Sequence, residues 1–195
     1  SFYVMPKYGK NLETYFNQYN QRFRPKTILQ LGIKMVEIIE KIHDAGYTYN
    51  DLKLDNILIG GYTSKNGSCM RLDGGLWVRV EVCRQLRSSP AEEETDVFRS
   101  NMIFATRNQF EFKVTSRRDD LQSLCYLLVF IFQSGNVPFV AQNISSKKDV
   151  FNFVKKVKTQ MKPIDLVGPP TQPSHMLLPF VEKVFSYNYY DKPEY

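Results

Sequence analysis

An α+β domain, mainly α, is what the sequence predicts, and three features predict it. Apolar residues recur at helical spacing in the segments beginning near Pro25 and Lys147. Short β-branched runs such as Ile57-Leu58-Ile59 are bounded by glycine and polar turn residues. A length of 195 residues with 43% apolar and 14% aromatic content suits one domain with a sizeable core and rules out a disordered chain.

Residues 1–5 read as a short buried strand and Pro6-Lys7-Tyr8-Gly9 as the extended connector after it, because proline cannot donate to a ladder and glycine permits a sharp bend. Asn11 is placed to cap a helix from Leu12 to about Tyr19, with Glu13 in its first turn. Pro25 suits the start of a longer helix running to about Ala45 and ended by Gly46; Ile28, Leu31, Met35, Ile38, Ile39 and Ile42 give it one apolar face. Residues 57–59 form a short strand, and residues 60–68 a turn-rich hairpin connection into a second strand at 69–72. Residues 77–100 carry Arg79, Arg84 and Arg87 and then Glu92, Glu93 and Glu94, and read as a mobile loop with two solvated charge blocks.

Nine consecutive apolar residues run from 124 to 132. Ser145 or Ser146 caps the next helix, residues 147–161, whose Val150, Phe151, Val154 and Val157 form an apolar stripe. Its other face carries Lys147, Lys148, Lys155, Lys156 and Lys158, either a solvated face or a docking surface for an acidic partner. Residues 163–173 read as a proline-rich connector, and 176–185 as a final helix packed through Leu177, Phe180, Val181 and Val184.

Composition narrows the function. A net charge of +6 suits an acidic or phosphorylated partner, although a solvated surface accounts for most of it, and no basic-aromatic motif accompanies it, so nucleic acid is not expected. Cys69, Cys83 and Cys125 are odd in number and lack metal-ligand spacing, which predicts reduced thiols in a cytoplasmic, reducing compartment. His43 and His175 are too few and too far apart for a zinc site. The nine-residue apolar run is about half of the roughly 18 to 20 residues that a membrane span needs, so no membrane is expected. Residues 1–5 lack a charged n-region and a cleavage site, and the absence of an initiator methionine predicts a fragment.

The chemistry lies in residues 49–60, Tyr-Asn-Asp-Leu-Lys-Leu-Asp-Asn-Ile-Leu-Ile-Gly, where Lys53 and Asn56 follow Asp51 at offsets of two and five. That spacing suits phosphoryl transfer: an aspartate takes the proton of an attacking hydroxyl, a lysine neutralises the transferring phosphate and an asparagine holds magnesium. A polar turn before a short strand is the competing reading. A helical run before the loop, and Asp73-Gly74-Gly75 after it, favour the chemical one. Strands returning Asp73 beside Asp51 and Asn56 would complete a magnesium-nucleotide site from oxygen ligands, whereas by itself Asp73-Gly74-Gly75 reads as a hairpin turn.

Ser116-Arg117-Arg118-Asp119-Asp120-Leu121, followed by Ser123-Leu124, resembles the signature of the casein kinase one family of serine/threonine protein kinases. Residues 5–13, Met-Pro-Lys-Tyr-Gly-Lys-Asn-Leu-Glu, resemble that family's hinge, and Asp191-Lys192-Pro193-Glu194-Tyr195 the end of its penultimate helical region. The resemblance covers essentially the whole chain, and it implies that residues 119–134 are the central buried helix of the larger lobe. It implies one partial kinase domain over residues 1–195, the C-terminal lobe with short β-hairpins and without the N-terminal lobe, in which residues 77–100 are the activation-segment loop. It also implies catalytic Asp51 and Lys53, magnesium on Asn56 and Asp73, ATP held by Pro6 and Tyr8 backbone groups, and a protein substrate or assembly partner. Asp120 would be a structural anchor hydrogen-bonded to the backbone near Tyr49 and Asn50. The chain departs from the family at Tyr49-Asn50-Asp51 for His-Arg-Asp, at Asp73-Gly74-Gly75 for Asp-Phe-Gly, and at Ile103 for an arginine. Two readings follow: the lobe of a divergent kinase, inactive by itself, or a degenerate lobe serving as a binding module.

Overall fold

The computed structural model describes residues 9–60, 70–72, 76–80, 84–85, 98, 100–140 and 144–195; for residues 60, 70–72, 76–80 and 84–85 it describes the backbone alone. The fold is mainly helical, and its centre is α4, Arg117–Phe132. Leu121, Leu124, Cys125, Tyr126, Leu127, Leu128, Val129 and Ile131 are buried around its whole circumference, as expected of a helix apolar on every side. Burial pushes the Cys125 thiol far above its usual range, so this sulfur is a core atom rather than a nucleophile.

Two amphipathic helices lie against α4. On one side is α2, Pro25–Asp44, with Pro25 at its start and Gly46 at φ +82° just beyond its end, as the sequence predicts. Its Ile28, Leu31, Met35, Ile39 and Ile42 are buried, and Gly32 brings its backbone close to the Leu128 side chain. Another neighbour is α7, Leu178–Ser186, whose Val181 and Val184 enter the core. The shorter α1, Leu12–Gln18, is capped as predicted, with Asn11 Oδ1 accepting from Thr14 N at 2.9 Å.

The strands depart from expectation. β1 is Tyr47–Thr48, β2 Ile57–Gly60, β3 Met70–Leu72, β4 Leu76–Val80 and β5 Arg84–Gln85. β2 does not pair with β3: the antiparallel sheet has the order β2-β4-β3, with Ile57 opposite Val80 and Met70 opposite Val78. β1 pairs with β5, Thr48 opposite Arg84. The reading of residues 77–100 as a loop is therefore corrected at its start. Leu-Trp-Val-Arg-Val is rich in β-branched and aromatic residues, which suits a central strand paired on both edges. The predicted strand at residues 1–5, and all of the predicted connection at 60–68 but its first residue, lie outside the described residues.

Two other elements went unpredicted. The proline-rich connector contains α6, Pro163–Val167, started by Pro163 and by an Asp165 carboxylate that accepts from Lys162 N at 3.0 Å. A one-turn helix, α3, spans Arg107–Phe110, ahead of α4. The predicted helix at 147–161 is α5, Lys147–Gln160.

Candidate active site

The loop between β1 and β2 is shaped by its backbone before any side chain acts. Asn50 has φ +63°, a left-handed conformation that asparagine tolerates better than most residues. Two consecutive amides then meet one carboxylate. Asp120, in the first turn of α4, accepts from Tyr49 N on Oδ2 and from Asn50 N on Oδ1, both at 2.7 Å. Its Oδ2 also accepts the Nε2 hydrogen of His43 at 2.8 Å, which leaves His43 Nδ1 to accept from the Tyr195 hydroxyl. A buried carboxylate is tolerable because such donors replace its water. One peptide further along, the Asn50 carbonyl accepts from Gln109 Nε2 at 3.1 Å and Ser100 Oγ at 3.3 Å.

Beyond this fixed peptide the residues alternate. Leu52 and Leu54 are buried and anchor the loop, while Asp51 and Lys53 are 33% and 30% exposed and so remain open to a reactant. Asn56, at the end of a 3-10 turn over Leu54–Asn56, donates from Nδ2 to both the Asp51 carbonyl and Asp51 Oδ2, each at 2.9 Å. Lys53 Nζ lies 3.3 Å from the same Oδ2. Asp51, Lys53 and Asn56 are thus brought together, as their spacing predicts. Pro6, Tyr8 and Asp73 lie outside the described residues.

The donor set fits a hard cation. Both bonds of the Asn56 amide use its nitrogen, so Oδ1 is left as an acceptor with no hydrogen-bond partner among the described residues. A carboxamide oxygen beside a carboxylate matches the oxygen preference of Mg²⁺, which takes one or two carboxylates together with phosphate oxygens. Among the described residues, no three His, Cys, Asp or Glu side chains gather as a metal cluster.

A second buried network supports the first. Asp119 Oδ1 accepts from Thr106 Oγ1 at 2.8 Å and Asn108 Nδ2 at 2.9 Å, and Oδ2 from Ser116 N at 2.9 Å. Burial raises its carboxyl above the usual range, opposed by these hydrogen bonds and by Arg118. Lys158 overturns its placement on the lysine face: it is 3% exposed, and Nζ donates to the carbonyls of Met102, Ile103 and Ala105. The same ammonium lies 4.0 Å from the Tyr126 ring centre and 4.7 Å from that of Phe139.

Both surprises had a signal in the sequence. Lys158 follows Phe151 and Val154 at helical steps of three and four, so it belongs to the apolar stripe; its charge hid that. Thr106-Arg107-Asn108-Gln109 is a capping-box pattern, and Gln109 Oε1 does accept from Thr106 N at 2.8 Å.

No protein-family model matches the chain. Over 196 aligned residues, covering all of it, the chain is 32% identical to a protein of Dictyostelium discoideum described as a probable serine/threonine-protein kinase. The chain spans 37% of that relative's length. This similarity supports a protein-kinase relationship, which agrees with the grouping of Asp51, Lys53 and Asn56. Among the described residues no helix is long and apolar enough to cross a membrane.

Proposed function

We propose that this chain is the larger lobe of a serine/threonine protein kinase of the casein kinase one type, which transfers the γ-phosphoryl group of ATP to a protein hydroxyl. The observation that carries the reading is the convergence of Lys53 Nζ and Asn56 Nδ2 on Asp51 Oδ2. With Oδ2 so engaged, Oδ1 is the oxygen left to orient a substrate hydroxyl and take its proton. Lys53 supplies positive charge toward the transferring phosphoryl group, and Asn56 Oδ1, with Asp73, would hold magnesium. Bound Mg²⁺ and ATP supply the phosphoryl group and neutralise its charge; Pro6 and Tyr8 backbone groups would receive the adenine. Lys147, Lys148 and Lys156, all exposed on α5, would meet an acidic protein partner.

A second reading, a lobe that binds without catalysing, is favoured by Asn50. Its uncharged side chain donates to Thr48 Oγ1 at 2.7 Å at the position where the family carries an arginine. Phosphate incorporation into an acidic protein substrate by the whole protein separates the two. Asp51→Asn should lower it by about 10²- to 10⁴-fold with stability retained. Incorporation equal in the parent and the variant would remove Asp51 from the mechanism, and none in either would favour the binding module.

A further inference from the structure

We infer that Gln109 is a positioning residue for Asp51, acting through the carbonyl of Asn50; the inference rests on the catalytic reading of the loop. The peptide joining Asn50 to Asp51 places one residue's carbonyl next to the other's side chain, so what holds that carbonyl sets where the carboxylate points. Asp120 fixes the amides of Tyr49 and Asn50, on the N-terminal side of this peptide. Those bonds leave rotation about the Asn50 Cα–C bond free, and Asn50 is already in a sparsely populated conformation, φ +63°. The Gln109 Nε2 bond to the Asn50 oxygen, 3.1 Å, stops that rotation, assisted by Ser100 Oγ.

Gln109 is itself immobilised. Its Oε1 is held by Thr106 N at 2.8 Å, so both ends of the amide are used and its flip state is determined. Thr106 in turn donates to buried Asp119, beside Asp120 in sequence, and the preceding 102–105 segment is tied to Lys158. One side chain therefore closes a ring of contacts running from the segment before α3, through α4, to the loop carrying Asp51.

The two ends of Gln109 do different things, and Gln109→Glu separates them. A glutamate keeps the oxygen that caps α3, and loses the donor facing Asn50, placing a second acceptor there. In the whole protein, hydrogen exchange at the amides of residues 51–53 should accelerate about tenfold or more, while exchange in the buried part of α2 and the thermal midpoint stay unchanged. The phosphoryl-transfer kcat should fall about tenfold or more with KM for ATP within about twofold, since geometry rather than nucleotide binding is lost. Unchanged exchange at 51–53 overturns the inference, and so does faster exchange with an unaltered kcat. A parent protein that transfers no phosphate, yet shows faster exchange in the variant, would refute the kinase reading and keep Gln109 as the holder of the loop.

Discussion

Lys158 Nζ lies 2.7 Å from the carbonyl oxygen of Ala105, inside the core rather than in solvent. Burial pushes its amine well below the usual lysine range, although the carbonyls and ring faces around it favour the ammonium form. The unfolded chain has a lysine of ordinary pKa, 10.5, which binds a proton more readily than the folded chain does. Stability is then greatest above that value, declines as pH falls toward the folded value and stays low beneath it. Urea midpoints between about pH 7.5 and 10 should show the parent gaining on Lys158→Met as pH rises, by no more than about 1.4 kcal/mol per pH unit. Parallel profiles would mean that the amine has the same proton affinity in both states.

What was legible in the sequence had local causes. Asn11, Pro25, Gly46 and the apolar steps of α2 are short-range signals, and they delimit α1 and α2 to within a residue or two. The grouping of Asp51, Lys53 and Asn56 was equally legible, because a loop of six residues brings its own ends together. Strand pairing was not: β2 selects β4 across a long stretch of chain, and no local pattern distinguishes that partner from β3. The contacts of Gln109 with Asn50 and of Lys158 with Ala105 span 59 and 53 residues, so the stripe that marks α5 does not identify what Lys158 reaches, and neither α3 nor the reach of Gln109 was predicted.

Gly32 and Leu128 mark a close approach of α2 and α4. A Cβ added at Gly32 would meet Leu128 Cδ1 at 3.0 Å, so Gly32→Ala gains up to about 1 kcal/mol of helix propensity and gives part of it back to crowding. Leu128→Ala removes a side chain 2% exposed and should cost about 2 to 5 kcal/mol. With both changes the crowding disappears and the new methyl fills part of the cavity. Denaturant titrations of the four proteins should show the pair less destabilised than the sum of the singles by about 0.5 kcal/mol or more. Additivity within about 0.3 kcal/mol would argue that the helices do not touch there.

The lysines of α5 form one face in the sequence, and the fold divides them. Lys147, Lys148 and Lys156 are exposed and Lys155 is half-buried, whereas Lys158 is enclosed by the 102–105 carbonyls and by the rings of Tyr126 and Phe139. An amine-acylating reagent reacts with the neutral amine, so chemistry alone would favour Lys158, whose burial lowers its pKa. Access acts in the opposite direction and wins, because an amine bonded to three carbonyls inside the core cannot meet a reagent without local opening. Brief acylation of the native protein followed by peptide mass spectrometry should modify Lys147, Lys148 and Lys156 and spare Lys158, with Lys158 modified once the protein is denatured. Native labelling of Lys158 at the rate of its neighbours would place it on the surface and remove the tie between α5 and the segment leading to Gln109. An acidic partner docked on α5 should protect the exposed three selectively, and this protection should weaken as salt rises past about 0.1 M, where charges are screened beyond roughly 10 Å.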